Sequence, residues 1–179
     1  MNFEEIKTII LVDDRASYYS DGGYGAPPRQ NRYKILFSTL KEKMKKVEKE
    51  YLILGDGIFE INDKSETLIK TEDKTMFSGN SAAKKISDKI QSLSDSKKAL
   101  LLIDYMLNNS TKKQDKGKAL ALDILRLTPS DIIKLLYSTS PENKKEMNDF
   151  EWAYIFDFPI SSPTDAAEEI IYVLENRGD

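Results

Sequence analysis

Apolar residues along this chain follow two rhythms. In three places they run almost unbroken: Thr8-Ile9-Ile10-Leu11-Val12-Asp13-Asp14, Ala99-Leu100-Leu101-Leu102-Ile103-Asp104, and Ile132-Ile133-Lys134-Leu135-Leu136-Tyr137-Ser138-Thr139. Runs this short, rich in Ile, Leu and Val, suit strands covered on both faces better than buried helices. The first two end in carboxylates and the third in hydroxyls. In an open parallel sheet, ligands bind just beyond the carboxyl ends of the strands. Asp13, Asp14, Asp104 and Ser138 are therefore expected to gather at one edge.

Between these runs the period changes to that of a helix. Residues 31–50 carry Ile35, Leu36, Leu40, Met44 and Val47 as a stripe, with lysines and glutamates mostly opposite. Asn80 or Ser81 caps a helix reaching Leu93, with Ala82, Ile86, Ile90 and Leu93 on one face. Gly117 opens another to Leu127, buried through Leu120, Ile124 and Leu127 and stopped by Pro129. Pro163 stands at the start of the last, residues 164–176, with Ala167, Ile170, Ile171 and Leu174 inward. Shorter apolar segments predict further strands. Tyr51-Leu52-Ile53-Leu54 is closed by Gly55-Asp56-Gly57, and Ile58-Phe59-Glu60-Ile61 forms a hairpin with Thr67-Leu68-Ile69-Lys70-Thr71. Trp152-Ala153-Tyr154-Ile155-Phe156 is a fifth main strand, broken at Asp157-Phe158-Pro159, and Ser140-Pro141 opens a short helix or turn. The stretch 15–30, dense in Tyr, Gly and Pro, reads as a long loop above the acidic edge, and 108–116 as a lysine-rich loop beside it.

Strand and helix alternate along the chain, which predicts an α/β fold of parallel strands, right-handed crossovers and helices on both faces. The length of 179 residues fits a single domain, 1–179, with insertions at about 15–30, 58–78 and 108–116.

Composition narrows the chemistry. The chain has neither cysteine nor histidine. Disulfides, thiolate or imidazole metal ligands, cysteine nucleophiles and histidine bases are all excluded. What remains is carboxylates, hydroxyls, lysines, backbone groups and a hard metal ion. A net charge of −3 gives no general attraction to nucleic acid. No stretch approaches the apolar length of a membrane span, and the start lacks the pattern of a signal peptide, so the expected location is the cytoplasm.

The strand ends resemble the receiver domain of bacterial two-component response regulators, of the chemotaxis-regulator type. The matching residues are Leu11-Val12-Asp13-Asp14, Leu102-Ile103-Asp104-Tyr105-Met106-Leu107, Gly117 with Leu120, Leu122, Leu125 and Arg126, Leu135-Leu136-Tyr137-Ser138, and Phe158-Pro159. The likeness covers residues 6–50 and 97–175. It implies a flavodoxin-like, doubly wound sheet of five parallel strands in the order 2-1-3-4-5, with the insertions as loops and a hairpin. It also implies that Asp104 accepts a phosphoryl group. Asp13, Asp14, Asp104 and the Met106 backbone carbonyl would hold Mg²⁺, and the Ser138 hydroxyl would sense the phosphoryl group. Mg²⁺ prefers a few hard oxygen ligands and keeps several waters, so such a set is chemically sufficient. The chain departs from the family where a lysine usually precedes the proline after the fifth strand. Phe158 stands there, and Lys112, Lys113 or Lys116 of the expanded loop would have to reach in to replace it. The spacing from Asp104 to Gly117 is also longer than usual.

The resemblance implies a stand-alone signalling domain, monomeric or weakly dimeric, acting through a protein partner, either a phosphodonor kinase or a downstream effector. Its only enzymology would be self-phosphorylation and dephosphorylation on Asp104. The alternative is a phosphorylation-independent pseudo-receiver, an interaction module in which the acidic edge is vestigial. A Mg²⁺-dependent phosphohydrolase is disfavoured. Such enzymes pair an aspartate nucleophile with a second aspartate two positions on, and here the run is Asp104-Tyr105-Met106.

Overall fold

Strand β1, Thr8–Val12, is buried along its whole length and sits inside the sheet, as its unbroken apolar run requires. The computed structural model describes residues 6–14, 32–44, 50–55, 57–62, 67–72, 77, 81–93, 99–105, 107, 114–137, 154–156 and 163–176. In chain order the remaining elements are α1 (Arg32–Lys43), β2 (Glu50–Leu54), β3 (Ile58–Asn62), β4 (Thr67–Glu72), α2 (Ala82–Leu93), β5 (Ala99–Asp104), α3 (Gln114–Leu127), β6 (Ile133–Tyr137), β7 (Tyr154–Phe156) and α4 (Pro163–Asn176). The sheet order is β4-β3-β2-β1-β5-β6-β7.

Strand β1 pairs in parallel with both β2 and β5, and β6 pairs in parallel with β5 and with the three-residue β7. The fold is thus α/β with a parallel sheet, an arrangement compatible with the flavodoxin-like class. The expected hairpin does form, with a bulge between Ile58 and Phe59. It is not a separate excursion: β3 pairs antiparallel with β2, so the sheet is mixed and has seven strands rather than five. The tight Gly55–Gly57 turn, where the Gly55 amide donates to the Gly57 carbonyl at 2.9 Å, reverses the chain immediately. The next strand therefore has nowhere to pair but beside β2.

Two apolar layers enclose the sheet, and the pleat divides them. Ile9, Leu11, Leu100, Leu102, Leu135 and Tyr137 face one layer, filled by Leu36, Phe37, Leu40 and Met44 of the α1 region and by Ala167, Ile170 and Leu174 of α4. Ile10, Val12, Leu101, Ile103 and Leu136 face the other, filled by Ile86 and Ile90 of α2 and Ala121, Ile124 and Leu125 of α3. Side chains alternate between faces along a strand, so strands apolar throughout are what two covered faces demand.

The helices differ in detail from their predicted stripes. Ile35 is 40% exposed, and Phe37 takes its place in the core. With about 100° per residue, Ile35 lies on the far side of α1 from Leu36, Phe37, Leu40 and Met44. Likewise Leu127 is 49% exposed while Ala121 and Leu125 are buried. Helix α3 begins at Gln114, three residues before Gly117, so Lys116 belongs to the helix and not to the preceding loop. Ser81 directly precedes α2, at the cap position, its carbonyl accepting from the Lys85 amide at 3.0 Å. Pro163 is the first residue of α4, where its missing N–H costs nothing.

Side chains tie the C-terminal end of α3 into the second layer. The Ser87 hydroxyl donates to the Leu127 carbonyl at 2.9 Å, and Lys134 Nζ donates to the Thr128 carbonyl at 2.9 Å. Burial pushes the Lys134 ammonium below its ordinary pKa, with Asp131 pulling the other way. The segments 15–30 and 140–141, with Trp152, lie outside the described residues.

Leu102 is fully buried on a central strand. Leu102→Ala should therefore lower the unfolding free energy by about 2–5 kcal/mol. Urea denaturation measures this, with Lys84→Ala, from an exposed helical ion pair, as a control expected to stay within about 0.5 kcal/mol.

Candidate metal centre

The chain order reverses direction between β1 and β5: β2 lies on one side of β1, while β5 and β6 extend on the other. Such a switch point leaves a crevice beyond the carboxyl ends of the two central strands, because the loops that follow them part to opposite faces. Asp13 and Asp14 follow β1 directly, and Asp104 is the last residue of β5.

Register brings them level. Val12 pairs with Ile103, so the next residues, Asp13 and Asp104, are neighbours, and Asp104 pairs in turn with Tyr137. The pleat then puts Asp13, Asp104 and Tyr137 on one side, since Leu11, Leu102 and Leu135 two positions earlier share the α1/α4 layer. Backbone bonds carry the ladders past the strand ends. The Asp13 amide donates to the Leu54 carbonyl at 3.1 Å, and the Tyr105 amide to the Tyr137 carbonyl at 2.9 Å.

One carboxylate oxygen from each of Asp13, Asp14 and Asp104 lies within 4.8 Å of the other two. Asp13 is buried, while Asp14 and Asp104 are half-buried. At that spacing each pair of full charges repels by about 3 kcal/mol at an effective dielectric near 20. The donor set is all hard oxygen and the gap is small. Mg²⁺ and Ca²⁺ take such ligands at roughly 2.0–2.6 Å, so modest side-chain rotation would bring the three oxygens onto one ion. The residues present fit a divalent cation.

A fourth side chain completes the arrangement. The Tyr137 hydroxyl donates to Asp13 Oδ2 at 2.7 Å, in a buried setting. The strand pattern marks Tyr137 only as an apolar position next to Ser138. Its alternation with Leu135, two residues before it and level with Leu102, was the available sign that its ring lies on the carboxylate side.

Of the residues expected at this edge, the structure therefore brings together Asp13, Asp14 and Asp104. Met106, Ser138, Phe158, Lys112 and Lys113 lie outside the described residues. Among the described residues, no helix is long and apolar enough to cross a membrane. No model of a known protein family matches the chain, and no curated protein matches it in sequence.

Tyr137→Phe withdraws one donor from a buried carboxylate while keeping the ring in the core. It should cost about 1–3 kcal/mol in urea unfolding without added metal. Tyr172→Phe, at a position 63% exposed, should be close to neutral in the same assay.

Proposed function

We propose that this protein is a receiver-like signalling module. Asp104 accepts a phosphoryl group with Mg²⁺ held by Asp13, Asp14 and Asp104, and the modified form switches a contact with a protein partner. The observation that carries the reading is the convergence of three aspartate oxygens within 4.8 Å at the carboxyl ends of the two central parallel strands. The flavodoxin-like order 2-1-3-4-5 belongs to the same reading. Strands β2, β1, β5 and β6 supply its first four members and Tyr154–Phe156 its fifth. The Met106 carbonyl as a further metal ligand and the Ser138 hydroxyl as the phosphoryl sensor complete it, as does a cytoplasmic setting.

The chain's own residues account for most of the chemistry. A carboxylate is a competent phosphoryl acceptor, as covalent aspartyl intermediates elsewhere show. An Asp104 oxygen forms the new bond to phosphorus, and the bond to the donor's oxygen or nitrogen breaks, with the departing group keeping its electron pair. Asp13 and Asp14 orient the site and hold the cation against the repulsion among the three carboxylates. The cation, when bound, supplies charge neutralisation for the transferring phosphoryl oxygens. Modification puts added negative charge beside Tyr137 and the strand end that leads to Ser138. That is the kind of local charge change that biases a two-state element.

Phe158, where the resembled family carries a lysine, favours a second reading. Without that fixed cation, phosphoryl stabilisation is weaker by a few kcal/mol, the effect of removing one preorganised donor. A phosphorylation-independent interaction module is the consequence if no other cation replaces it.

Beryllofluoride with Mg²⁺ mimics the phosphorylated aspartate and separates the two. The expected outcome is a set of amide chemical-shift changes centred on the β1, β5 and β6 ends in the wild type, absent in Asp104→Asn. A wild type that stays silent sinks phosphoryl acceptance and leaves the interaction module standing.

A further inference from the structure

We propose that Tyr137 is a positioning residue that sets which divalent cation the acidic edge accepts, favouring a small octahedral ion such as Mg²⁺ over Ca²⁺. This inference rests on the metal-binding reading above and adds a selectivity device to it.

Asp13 is held at two points. Its backbone amide is bound to Leu54, one of its two carboxylate oxygens accepts from Tyr137 at 2.7 Å, and the residue is only 3% exposed. The tyrosine is equally constrained, being 2% exposed and paired in register with Asp104 on one side and Phe156 on the other. The carboxylate is thus fixed from the backbone and from its tip. A hydroxyl engaged with one oxygen opposes any rotation that turns both oxygens toward a common point.

The two cations differ in what they ask of a carboxylate. Ca²⁺ takes six to eight oxygens and commonly chelates a carboxylate through both of its oxygens. Mg²⁺ takes single oxygens in a tight octahedron and keeps several waters. Asp13 tied at Oδ2 suits the single bond and resists the chelate. Asp14 and Asp104 are only half-buried, which leaves solvent access for the waters that Mg²⁺ retains. The tyrosine is also a neutral donor, so it orients the carboxylate without cancelling the charge that attracts the ion. Residues that orient a metal ligand typically change metal affinity by about 10–100-fold when altered.

Calorimetric titration of the full chain with MgCl₂ and separately with CaCl₂ tests this in the wild type, Tyr137→Phe and Asp14→Asn. The wild type should bind Mg²⁺ and Asp14→Asn should not. Tyr137→Phe should shift the ratio of Mg²⁺ to Ca²⁺ affinity toward Ca²⁺ by about tenfold. An unchanged ratio in Tyr137→Phe overturns the role of the hydroxyl while leaving the metal site intact. Failure of the wild type to bind either ion defeats the metal-binding reading itself, and this inference with it. A second measurement needs no variant: near-ultraviolet absorption of the wild type should change on Mg²⁺ binding, because the acceptor of the Tyr137 hydroxyl engages the ion. Saturation with Mg²⁺ and no tyrosine perturbation overturns the proposal even if Tyr137→Phe does not fold.

Discussion

The register of three parallel strands governs everything at the acidic edge. Pairing Val12 with Ile103 and Asp104 with Tyr137 makes a single row of Asp13, Asp104 and Tyr137 across the sheet. Side chains alternate with a period of two, so a slip of one residue in any strand would turn its member of the row to the opposite face. The carboxylates converge because strands far apart in sequence stop at the same level. No local feature of either aspartate-bearing segment would achieve that alone.

Gathering the charges opposes folding, and the surrounding architecture supplies what offsets it. Three carboxylates within 4.8 Å repel, while the strands beneath them bury Ile9, Ile10, Leu11, Leu100, Leu101 and Leu102 completely. Full burial of each such side chain is worth about 1.5–3 kcal/mol. A sheet interior this apolar can hold an unfavourable rim, and it does so where the topology already opens a crevice. Unfavourable charge at a strand end, offset by dense packing beneath it, is the kind of local conflict that folds carry at functional sites.

Much of this was legible in the amino-acid order, and the physics explains which parts. Runs such as Ala99-Leu100-Leu101-Leu102-Ile103 are readable because only burial on both faces tolerates unbroken apolarity, and their terminal aspartates mark the edge. The hairpin is readable from its flanking turn residues, and its attachment to β2 follows from Gly55-Asp56-Gly57, a turn that brings Ile58 back opposite Leu54. Helix faces are less sharply specified by the sequence. Ile35 and Leu127 are as apolar as their buried neighbours, and only packing against the sheet decides which side turns inward. Helix α3 runs through Gly117 because one glycine costs a helix only about 1 kcal/mol, less than the burial of the turns around it supplies. Tyr137 was hidden by its own duality, its ring counting as apolar in the strand pattern while its hydroxyl acts at the site.

That duality also answers a difficulty the sheet presents. A strand apolar on both faces has no binary pattern to specify its register, since a one-residue slip exchanges one greasy face for another. Polar marks must do it. In this sheet the buried bond from Tyr137 to Asp13 Oδ2 spans β6 to β1 with β5 between them, and so ties the outer two of the three central strands to one level. A slip would strand the hydroxyl and the carboxylate on opposite faces, each deprived of the other at a cost of about 1–3 kcal/mol. Buried polar pairs have their best-attested structural use in selecting register. The contact that orients Asp13 toward its neighbours is therefore also one that keeps those neighbours in line, so site geometry and strand alignment rest on the same 2.7 Å hydrogen bond.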